Sequence, residues 1–227
     1  MECKSIEELL TTFKDMTPEE MAAHDAEIEA RILQQEKKEA LDRYQKCGVP
    51  ERYWPVTIDT YKVTNEMQAK AQQAARGFLY AIKRGEFKSY VMIGNAGTGK
   101  THLACGILRA YGHGQYRTAP DIVEELRRAK SFTASETEAQ IINYYGHTPL
   151  LIIDEIGRGI NAADEKYMIY QILNARYNSR KPTVLISNHK MQEFLQYIGA
   201  AAADRLVESA EIIEMNGESY RRELRAK

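Results

Sequence analysis

The chain has 227 residues, of which 44% are hydrophobic and 28% charged, a composition typical of one full globular domain with an appendage. Its 31 basic and 32 acidic side chains nearly cancel, which excludes a protein that is held on nucleic acid by its overall charge. Three widely separated cysteines, Cys3, Cys47 and Cys105, argue against a zinc ribbon and a secreted disulfide framework. The longest aliphatic run, Leu150 to Ile153, is far shorter than the roughly 20 residues of a membrane span, so we expect a cytoplasmic protein without signal peptide or anchor.

The first 46 residues differ in charge from the rest, with 12 acidic and 7 basic side chains and a net charge of -5. Two capping boxes, Ser5-Ile6-Glu7-Glu8 and Thr17-Pro18-Glu19-Glu20, each predict the start of a helix. The second helix extends from Pro18 to about Lys46 and carries only a thin apolar stripe. Residues 1–46 are therefore predicted to form a helical arm, which either packs lightly on the main domain or binds a partner.

The main domain follows a boundary at about residues 46–57, where glycine and proline interrupt the helical pattern. We place the linker at 47–60 and the main domain at 61–227. The predicted strands are 90–93, 115–118, 150–153 and 183–187, and the predicted helices are 65–84, 100–110, one that begins at Asp121, and 164–180. Alternating helices and short apolar strands predict an α/β fold, in which helices cover both faces of a mostly parallel sheet.

A phosphate-loop pattern, G-x-x-x-x-G-K-[ST], lies between the first predicted strand and the next helix. Its glycines let backbone N–H groups point at phosphates, and the helix N-terminus adds a favourable dipole. Lys100 would neutralise the β- and γ-phosphates, and the Thr101 hydroxyl would bind Mg²⁺. The sequence thus predicts ATP and Mg²⁺ as ligands, and the nucleotide contacts are predicted at Gly94, Asn95, Ala96, Gly97, Thr98, Gly99, Lys100, Thr101 and His102.

Two carboxylates follow the predicted strand 150–153, at the edge of a parallel sheet where ligands bind. This is the Walker B arrangement, in which Asp154 would hold Mg²⁺ and Glu155 would act as general base for the attacking water. Asn188 ends the strand 183–187, and its amide is suited either to orient that water or simply to make a turn. The pattern favours ATP hydrolysis over phosphoryl transfer to a small molecule.

The order of these motifs resembles that of the AAA+ ATPases, and more narrowly that of the DnaC-type replicative helicase loaders, over residues 49–222. The resemblance rests on the two nucleotide motifs, on Ile186-Ser187-Asn188 as sensor 1, on Ala203-Asp204-Arg205-Leu206, and on Glu218-Ser219-Tyr220-Arg221. It implies that Arg205 reaches in trans into a neighbouring subunit's ATP and that Arg221 contacts the γ-phosphate in cis. Hydrolysis would then depend on assembly.

The same resemblance places an additional helical element, the initiator/loader-specific motif, at residues 121–145. Its basic end, Arg127 to Phe132, combines charge with one aromatic ring. This combination is suited to single-stranded DNA, with Lys130 and Phe132 as the predicted contacts. A solvated basic helix face is the alternative.

Two features depart from the loader pattern. The segment 199–203 reads Gly-Ala-Ala-Ala-Ala where loaders often carry Gly-Glu-Arg, which implies weaker or partner-dependent self-assembly. Some loaders have an N-terminal zinc domain, but Cys3, His24 and Cys47 lack ligand spacing, so no structural metal is expected.

The preferred hypothesis is an ATP-dependent helicase loader. It would bind a hexameric DnaB-type replicative helicase through residues 1–46 and deliver it to single-stranded DNA during replication initiation. The alternatives are an IstB-type transposition helper ATPase, a non-hydrolysing adaptor that ATP locks in one conformation, and a small-molecule kinase. The short acidic arm favours the loader, and Glu155 argues against the adaptor and the kinase.

Overall fold

A computed structural model describes residues 17–131, 133–159 and 162–220, and the chain divides into two compact units, residues 1–43 and 44–227. The helix predicted at Ser5 lies outside the described residues. Helix α1 spans Pro18–Gln45. The capping box predicted at its start is confirmed, because Thr17 N donates to Glu20 Oε2 at 2.8 Å and Glu20 N donates to Thr17 Oγ1 at 3.3 Å.

The aliphatic side chains of helix α1 and Met21 are exposed. Their exposed fractions lie between 38% and 54% for Met21, Ile28, Ile32, Leu33 and Leu41. The polar face is supported by pairs along the helix, such as Arg31 and Glu27 at 2.7 Å. The described part of the N-terminal unit therefore presents an uncovered apolar stripe on a mostly polar helix.

The C-terminal unit consists of alternating helices and strands after a short 3₁₀ turn at Glu51–Tyr53. Its helices are α2 (Glu66–Lys83), α3 (Lys100–Tyr111), α4 (Ala119–Arg128), α5 (Glu138–His147), α6 (Ala162–Asn178), α7 (Met191–Ile198) and α8 (Ala200–Ser209). Its strands are β1 (Ser89–Ile93), β2 (Gln115–Thr118), β3 (Leu151–Ile156), β4 (Thr183–Ser187) and β5 (Ala210–Glu214). None of the described helices combines the length and apolar character that crossing a bilayer requires.

The five strands form one sheet in the order β2-β3-β4-β1-β5, and every neighbouring pair is parallel. This confirms the predicted α/β fold. Because the strands are parallel, all their carboxyl ends meet at one edge. The loop after β1 thus lies beside the ends of β4 and β3, where the motifs predicted to bind nucleotide are found.

Both faces of the sheet are covered by a hydrophobic core. Tyr90 and Met92 belong to the cluster that includes α2 and α3, whereas Val91 and Ile93 belong to the cluster that includes α4 to α8. Side chains alternate along a strand, so a strand with only apolar residues contributes to both clusters. Strand β1 is fully buried and holds the start of the phosphate loop firmly.

The C-terminal unit already includes the last residues of helix α1. Tyr44 is 3% exposed, and its hydroxyl donates to the carbonyl oxygens of Tyr53 and Cys105, both at 3.2 Å. The Cys47 carbonyl oxygen accepts a hydrogen bond of 2.7 Å from Tyr116 N at the outer edge of β2. A shortened chain that keeps the C-terminal unit intact should therefore begin no later than Tyr44.

Several predicted bounds differ from those in the structure. Strand β3 begins at Leu151 and continues to Ile156, because the chain pairs with β4 again beyond a register shift. The helix predicted from Asp121 begins at Ala119, since Thr118 and Asp121 form a reciprocal capping box. Helices α7 and α8 and strand β5 were not predicted; the two helices have 8 and 10 residues, fewer than the window of about 11–18 residues in which a helical period is recognised.

A buried arginine ties the amino edge of the sheet together. Arg176 is 1% exposed, and it donates to Thr183 Oγ1 at 2.8 Å and to the carbonyl oxygens of Tyr145, Thr148 and Pro182. These acceptors are neutral, and burial lowers the pKa of Arg176 to about 9. The side chain thereby fixes the start of β4, the strand that leads to Asn188.

Candidate functional site

The phosphate loop, residues 94–101, connects β1 to the N-terminus of α3 at the carboxyl edge of the sheet. Gly97 and Gly99 have φ values of 84° and 92°, which favour glycine and turn the loop around an inner space. The Tyr61 ring covers Gly99, and its hydroxyl donates to the Thr98 carbonyl oxygen at 2.8 Å. The loop is thus braced from outside by an aromatic ring that the sequence analysis had not identified.

Lys100 is held inside the phosphate loop. It is 5% exposed, and its ammonium donates to the carbonyl oxygens of Gly94 at 2.8 Å and Asn95 at 2.7 Å. A buried ammonium is costly unless it is hydrogen-bonded, so these carbonyl groups keep the charge in place. The charge is therefore present where the loop N–H groups and the α3 N-terminus already favour an anion.

Asp154 is a buried polar group at the carboxyl edge of the sheet. It is 4% exposed, and its Oδ2 accepts from Thr101 Oγ1 at 2.7 Å and from the Tyr116 hydroxyl at 2.8 Å. Its Oδ1 accepts from Glu155 N at 2.6 Å. The two predicted metal ligands, Thr101 and Asp154, are therefore brought into direct contact.

Tyr116 was missed by the sequence analysis. Burial raises the pKa of its hydroxyl, and the neighbouring Asp154 raises it further, so the group remains a donor at neutral pH. It reaches Asp154 because β2 and β3 are adjacent, with Thr118 opposite Asp154 in the parallel register. The order of strands, which no local pattern reveals, was needed to find it.

Glu155 and Asn188 line the same cavity as the phosphate loop. Glu155 has a φ of 58°, a left-handed conformation that is uncommon for a residue other than glycine. Its carboxylate forms an ion pair of 3.2 Å with Arg158, and both side chains are partly exposed. Asn188 follows β4 and is exposed toward solvent. The structure thus brings together the predicted base and the predicted water-orienting amide.

The cavity has a volume of about 430 Å³, and its second wall comes from the segment that precedes α2. This wall contributes aromatic and apolar side chains, including Tyr53, Val56 and Tyr61, opposite the polar loop. A polar half and an apolar half fit a ligand with a phosphate end and a flat heterocycle. The sequence analysis did not predict this wall, although the three aromatic residues within residues 53–61 could have indicated it.

His102, in the first turn of helix α3, faces that wall. Its Nε2 is 3.0 Å from the Thr57 carbonyl oxygen, which can only accept, so we assign the ring proton to Nε2. Burial lowers the pKa of His102, and the ring is therefore neutral at pH 7. In these contacts it fastens the wall to the helix, and its predicted role in nucleotide contact stays a prediction.

Arg205 lies away from the cavity of its own chain. It contacts Tyr170 and Tyr177 of α6, with its guanidinium carbon 5.5 Å and 5.6 Å from the two ring centres, and it donates to the Tyr170 hydroxyl at 3.2 Å. It shares a small pocket with Ser89 and Thr183, the first residues of β1 and β4. Arg205 is thus at the amino edge of the sheet, which the length of β1 separates from the phosphate loop by roughly 13 Å.

Arg221 lies outside the described residues, which reach Tyr220. Tyr220 lines the cavity, and its N donates to the Gly97 carbonyl oxygen at 3.0 Å. The Lys62 ammonium is 5.5 Å from the centre of the Tyr220 ring. The described chain therefore ends at the phosphate loop.

The basic residues predicted to bind single-stranded DNA are engaged in ion pairs. Arg127 pairs with Asp164 at 3.0 Å, Arg128 with Glu124 at 3.5 Å, and Lys130 with Glu138 at 3.9 Å. Phe132 lies outside the described residues. Exposed ion pairs contribute little to stability, so DNA phosphates can compete for these cations. The DNA contacts stay a prediction.

Comparisons with known proteins show what this chain is similar to. The family described as IstB-like ATP binding protein matches residues 19–227. The replicative helicase loader DnaC of Escherichia coli (strain K12) is 30% identical over 224 residues, which cover 96% of this chain and 87% of that protein. A putative ATP-binding protein of insertion sequence IS232, from Bacillus thuringiensis subsp. berliner, is 29% identical over 59% of this chain and 56% of its own. The crystal structure of the DnaC helicase loader has the same fold, with a TM-score of 0.66 and 23% identity over 74% of this chain and 100% of that one.

Proposed function

The chain belongs to the family of IstB-like ATP-binding proteins, and within it we propose that this AAA+ P-loop ATPase is a replicative helicase loader. The observation that carries the proposal is the extent of the similarity to the loader DnaC. It covers 96% of this chain, so it extends beyond the nucleotide-binding unit into the N-terminal arm. Such a protein would act in the cytoplasm, on a hexameric DnaB-type helicase and single-stranded DNA.

ATP binding follows from the groups that line the cavity. The loop N–H groups and the N-terminus of α3 would receive the β- and γ-phosphates, and Lys100 would move from its carbonyl partners to the phosphate oxygens. The wall formed by Tyr53, Val56 and Tyr61 would enclose the base. Charge-assisted bonds to phosphate are stronger than bonds to neutral carbonyls, which favours this exchange.

Mg²⁺ fits the pair formed by Thr101 and Asp154. Both offer hard oxygen donors, and their contact of 2.7 Å places the two groups side by side next to the loop. When bound, Mg²⁺ would neutralise charge on the β- and γ-phosphates. Tyr116, which donates to the same carboxylate oxygen, would keep Asp154 oriented.

Hydrolysis requires a group that removes a proton from water as the water oxygen bonds to the γ-phosphorus and the bond from that phosphorus to the β,γ-bridging oxygen breaks, which releases ADP and phosphate. We assign this role to Glu155, which lines the cavity and is held at the end of β3, and the proton would pass to its carboxylate. Asn188, which lines the same cavity, would orient the water through its amide oxygen. The Arg158 guanidinium would leave the Glu155 carboxylate during this step.

Arg205 is proposed to complete the site of a neighbouring subunit. Its position at the amino edge of the sheet supports a role in trans, because the side chain cannot contact the nucleotide of its own chain. Arg221 would contact the γ-phosphate in cis. Its position in the chain, next to Tyr220, supports this assignment.

Replacing Arg205 with alanine should leave ATP binding by the isolated chain unchanged and lower hydrolysis in the assembled state about 10³-fold, the effect expected for an arginine supplied in trans. Fluorescent nucleotide titration and phosphate release would measure the two quantities. The matched control is Arg84→Ala, which removes another arginine that stacks on a tyrosine. An unaltered rate in the assembled state would mean that Arg205 is a surface residue.

The arm is proposed to grip the helicase through the apolar stripe of helix α1. Exposed aliphatic side chains with i,i+4 spacing, such as Ile28 and Ile32, are typical of a helix that lies in an apolar groove. The acidic charge of residues 1–46 would set the polar rim of the contact. Lys130 and Phe132 are proposed as single-stranded DNA contacts.

Capture of the replicative helicase by the full chain, with ATP and Mg²⁺ present, tests the proposal. Ile32→Asp buries a charge in the expected apolar contact and should weaken capture at least tenfold, or ~1.4 kcal/mol. Gln34→Asp adds the same charge at an exposed position on the side of the helix opposite Ile32 and should capture like the natural chain. If no version binds the helicase and the protein instead coats duplex DNA, the IstB-type transposition helper is the better assignment, as the similarity to the IS232 protein would then indicate.

A further inference from the structure

A buried carboxylate lies directly behind the end of β3. Glu165, in the first turn of α6, is 0% exposed, and its Oε1 accepts a hydrogen bond of 2.7 Å from Gly157 N. Its Oε2 is also buried and faces the hydroxyl of Tyr197. Burial of a carboxylate is costly even when it accepts a hydrogen bond, so such a group calls for an explanation in function.

The surroundings of Glu165 keep the carboxylate in one position. Gly159 covers it so closely that a Cβ there would lie 1.9 Å from Oε2. On another side is Tyr197 of α7, whose hydroxyl is also buried. Burial raises the pKa of Tyr197, and the Glu165 carboxylate raises it further, which places the two groups next to each other.

Gly157, the residue that Glu165 holds, belongs to a tight turn. A Cβ on Gly157 would lie 2.0 Å from His189 Nε2, so the backbone passes directly under that ring. The His189 ring in turn packs against Tyr197, with 5.6 Å between the ring centres. The His189 carbonyl oxygen accepts from Gly94 N at 3.1 Å, so the turn, the residue after Asn188 and the start of the phosphate loop are in contact.

Glu155 begins this turn in a conformation that it would not adopt by itself. Its φ of 58° is strained for a residue with a Cβ and persists only if neighbouring contacts fix it. On one side, Ser187 Oγ donates to the Ile156 carbonyl oxygen at 2.8 Å. On the other side, the contact from Gly157 N to Glu165 restrains the chain two residues beyond Glu155.

We propose that Glu165 is a positioning residue for Glu155. By accepting from Gly157 N, it fixes the turn that directs the Glu155 carboxylate into the nucleotide cavity. The inference rests on the proposed role of Glu155 as general base. A capping role alone does not account for the burial, because an exposed carboxylate in the first turn serves a helix N-terminus equally well.

The test compares Glu165→Ala and Glu165→Gln in the full chain. Alanine removes the acceptor, whereas glutamine keeps an oxygen for Gly157 N and directs its NH₂ group at the Tyr197 hydroxyl. We expect Glu165→Ala to slow single-turnover hydrolysis about 10- to 100-fold, with the Kd for a fluorescent ATP analogue changed less than twofold. Hydrogen exchange of the Gly157 amide should become at least about tenfold faster, because its acceptor is lost. Glu165→Gln should restore both the rate and the protection.

Asp164→Ala removes the neighbouring acidic residue from the same helical turn and should behave like the natural chain. The inference would be overturned if Glu165→Ala hydrolysed ATP at the rate of the natural chain and its Gly157 amide exchanged hydrogen no faster than in the natural chain. Equal loss of nucleotide binding and thermal stability in the alanine and glutamine variants would also overturn it, since Glu165 would then serve only the core. Glu155→Gln separates the role of Glu155 as general base from the role of Glu165 as its positioning residue. If Glu155→Gln hydrolyses ATP normally, the proposed base itself is wrong. If Glu155→Gln is inactive while Glu165→Ala remains active, only the positioning role is rejected.

Discussion

Replacing Glu155 with glutamine is expected to leave ATP binding intact and to lower turnover by about 10²- to 10⁴-fold, the range that general acid–base groups contribute. Glutamine has the same shape and retains an oxygen for Arg158, so the cavity should keep its form. It cannot accept the proton of the attacking water. Binding would be measured by titration with a fluorescent ATP analogue, and turnover by phosphate release in the assembled state.

The matched control for Glu155→Gln is Glu86→Gln. Glu86 is also partly exposed and paired with an arginine, Arg84 at 3.6 Å, but it lies in the segment before β1. Retained turnover in Glu155→Gln would reject the proposed base, and loss of nucleotide binding would mean that Glu155 supports the cavity instead. The variant also separates a loader from an ATP-locked adaptor: it should trap a loader on the helicase, whereas an adaptor should function normally without hydrolysis.

Replacing Lys100 with alanine is expected to weaken ATP binding by ~100-fold or more. Lys100 would contribute charge-assisted hydrogen bonds to two phosphates, each worth about 1.5–3 kcal/mol, and about 1.4 kcal/mol corresponds to a factor of ten in Kd. The natural lysine is buried in the loop, so no other described cation is equally placed to replace it. Titration with the fluorescent analogue would measure the change.

Lys83→Ala is the control for Lys100→Ala, because it removes an exposed lysine from the last turn of α2. Circular dichroism would verify that both variants keep their helices. ATP binding of natural strength in Lys100→Ala would contradict the assignment of the phosphate loop. A parallel loss of helical signal would mean that the bonds from Lys100 to Gly94 and Asn95 maintain the fold, and Lys100→Arg would then show whether a cation alone restores it.

The parts of the fold that were predicted correctly are those with strong local patterns. Strands β2 and β4 were placed at their observed residues, and helix α1 was placed to within one residue because Thr17 and Glu20 cap it. Strand β3 was ended too early, since two carboxylates are untypical of a buried strand. They are tolerated there because Asp154 receives three hydrogen bonds.

The parts of the candidate site that were missed depend on contacts between distant segments. Tyr116 reaches Asp154 only because β2 and β3 are neighbours, and Tyr61 reaches the phosphate loop from the segment that precedes α2. The left-handed backbone of Glu155 has no sequence signal, since glutamate rarely adopts it. In the sequence, Glu165 looks like an ordinary acidic residue in the first turn of a helix. Only its burial in the structure distinguishes it from such a residue.

The placement of Arg205 at the amino edge of the sheet has a consequence for symmetry. The cavity lies at the opposite, carboxyl edge, so the surface that would donate an arginine and the surface that would receive one are different. If Arg205 acts in trans as proposed, the subunits would associate head to tail, and repetition of that contact would give a closed ring or an open spiral with a definite polarity. In an open spiral, the subunit at one end has no neighbour to supply its arginine, so its ATP would be the last to be hydrolysed. The order of hydrolysis would then be built into the direction of assembly.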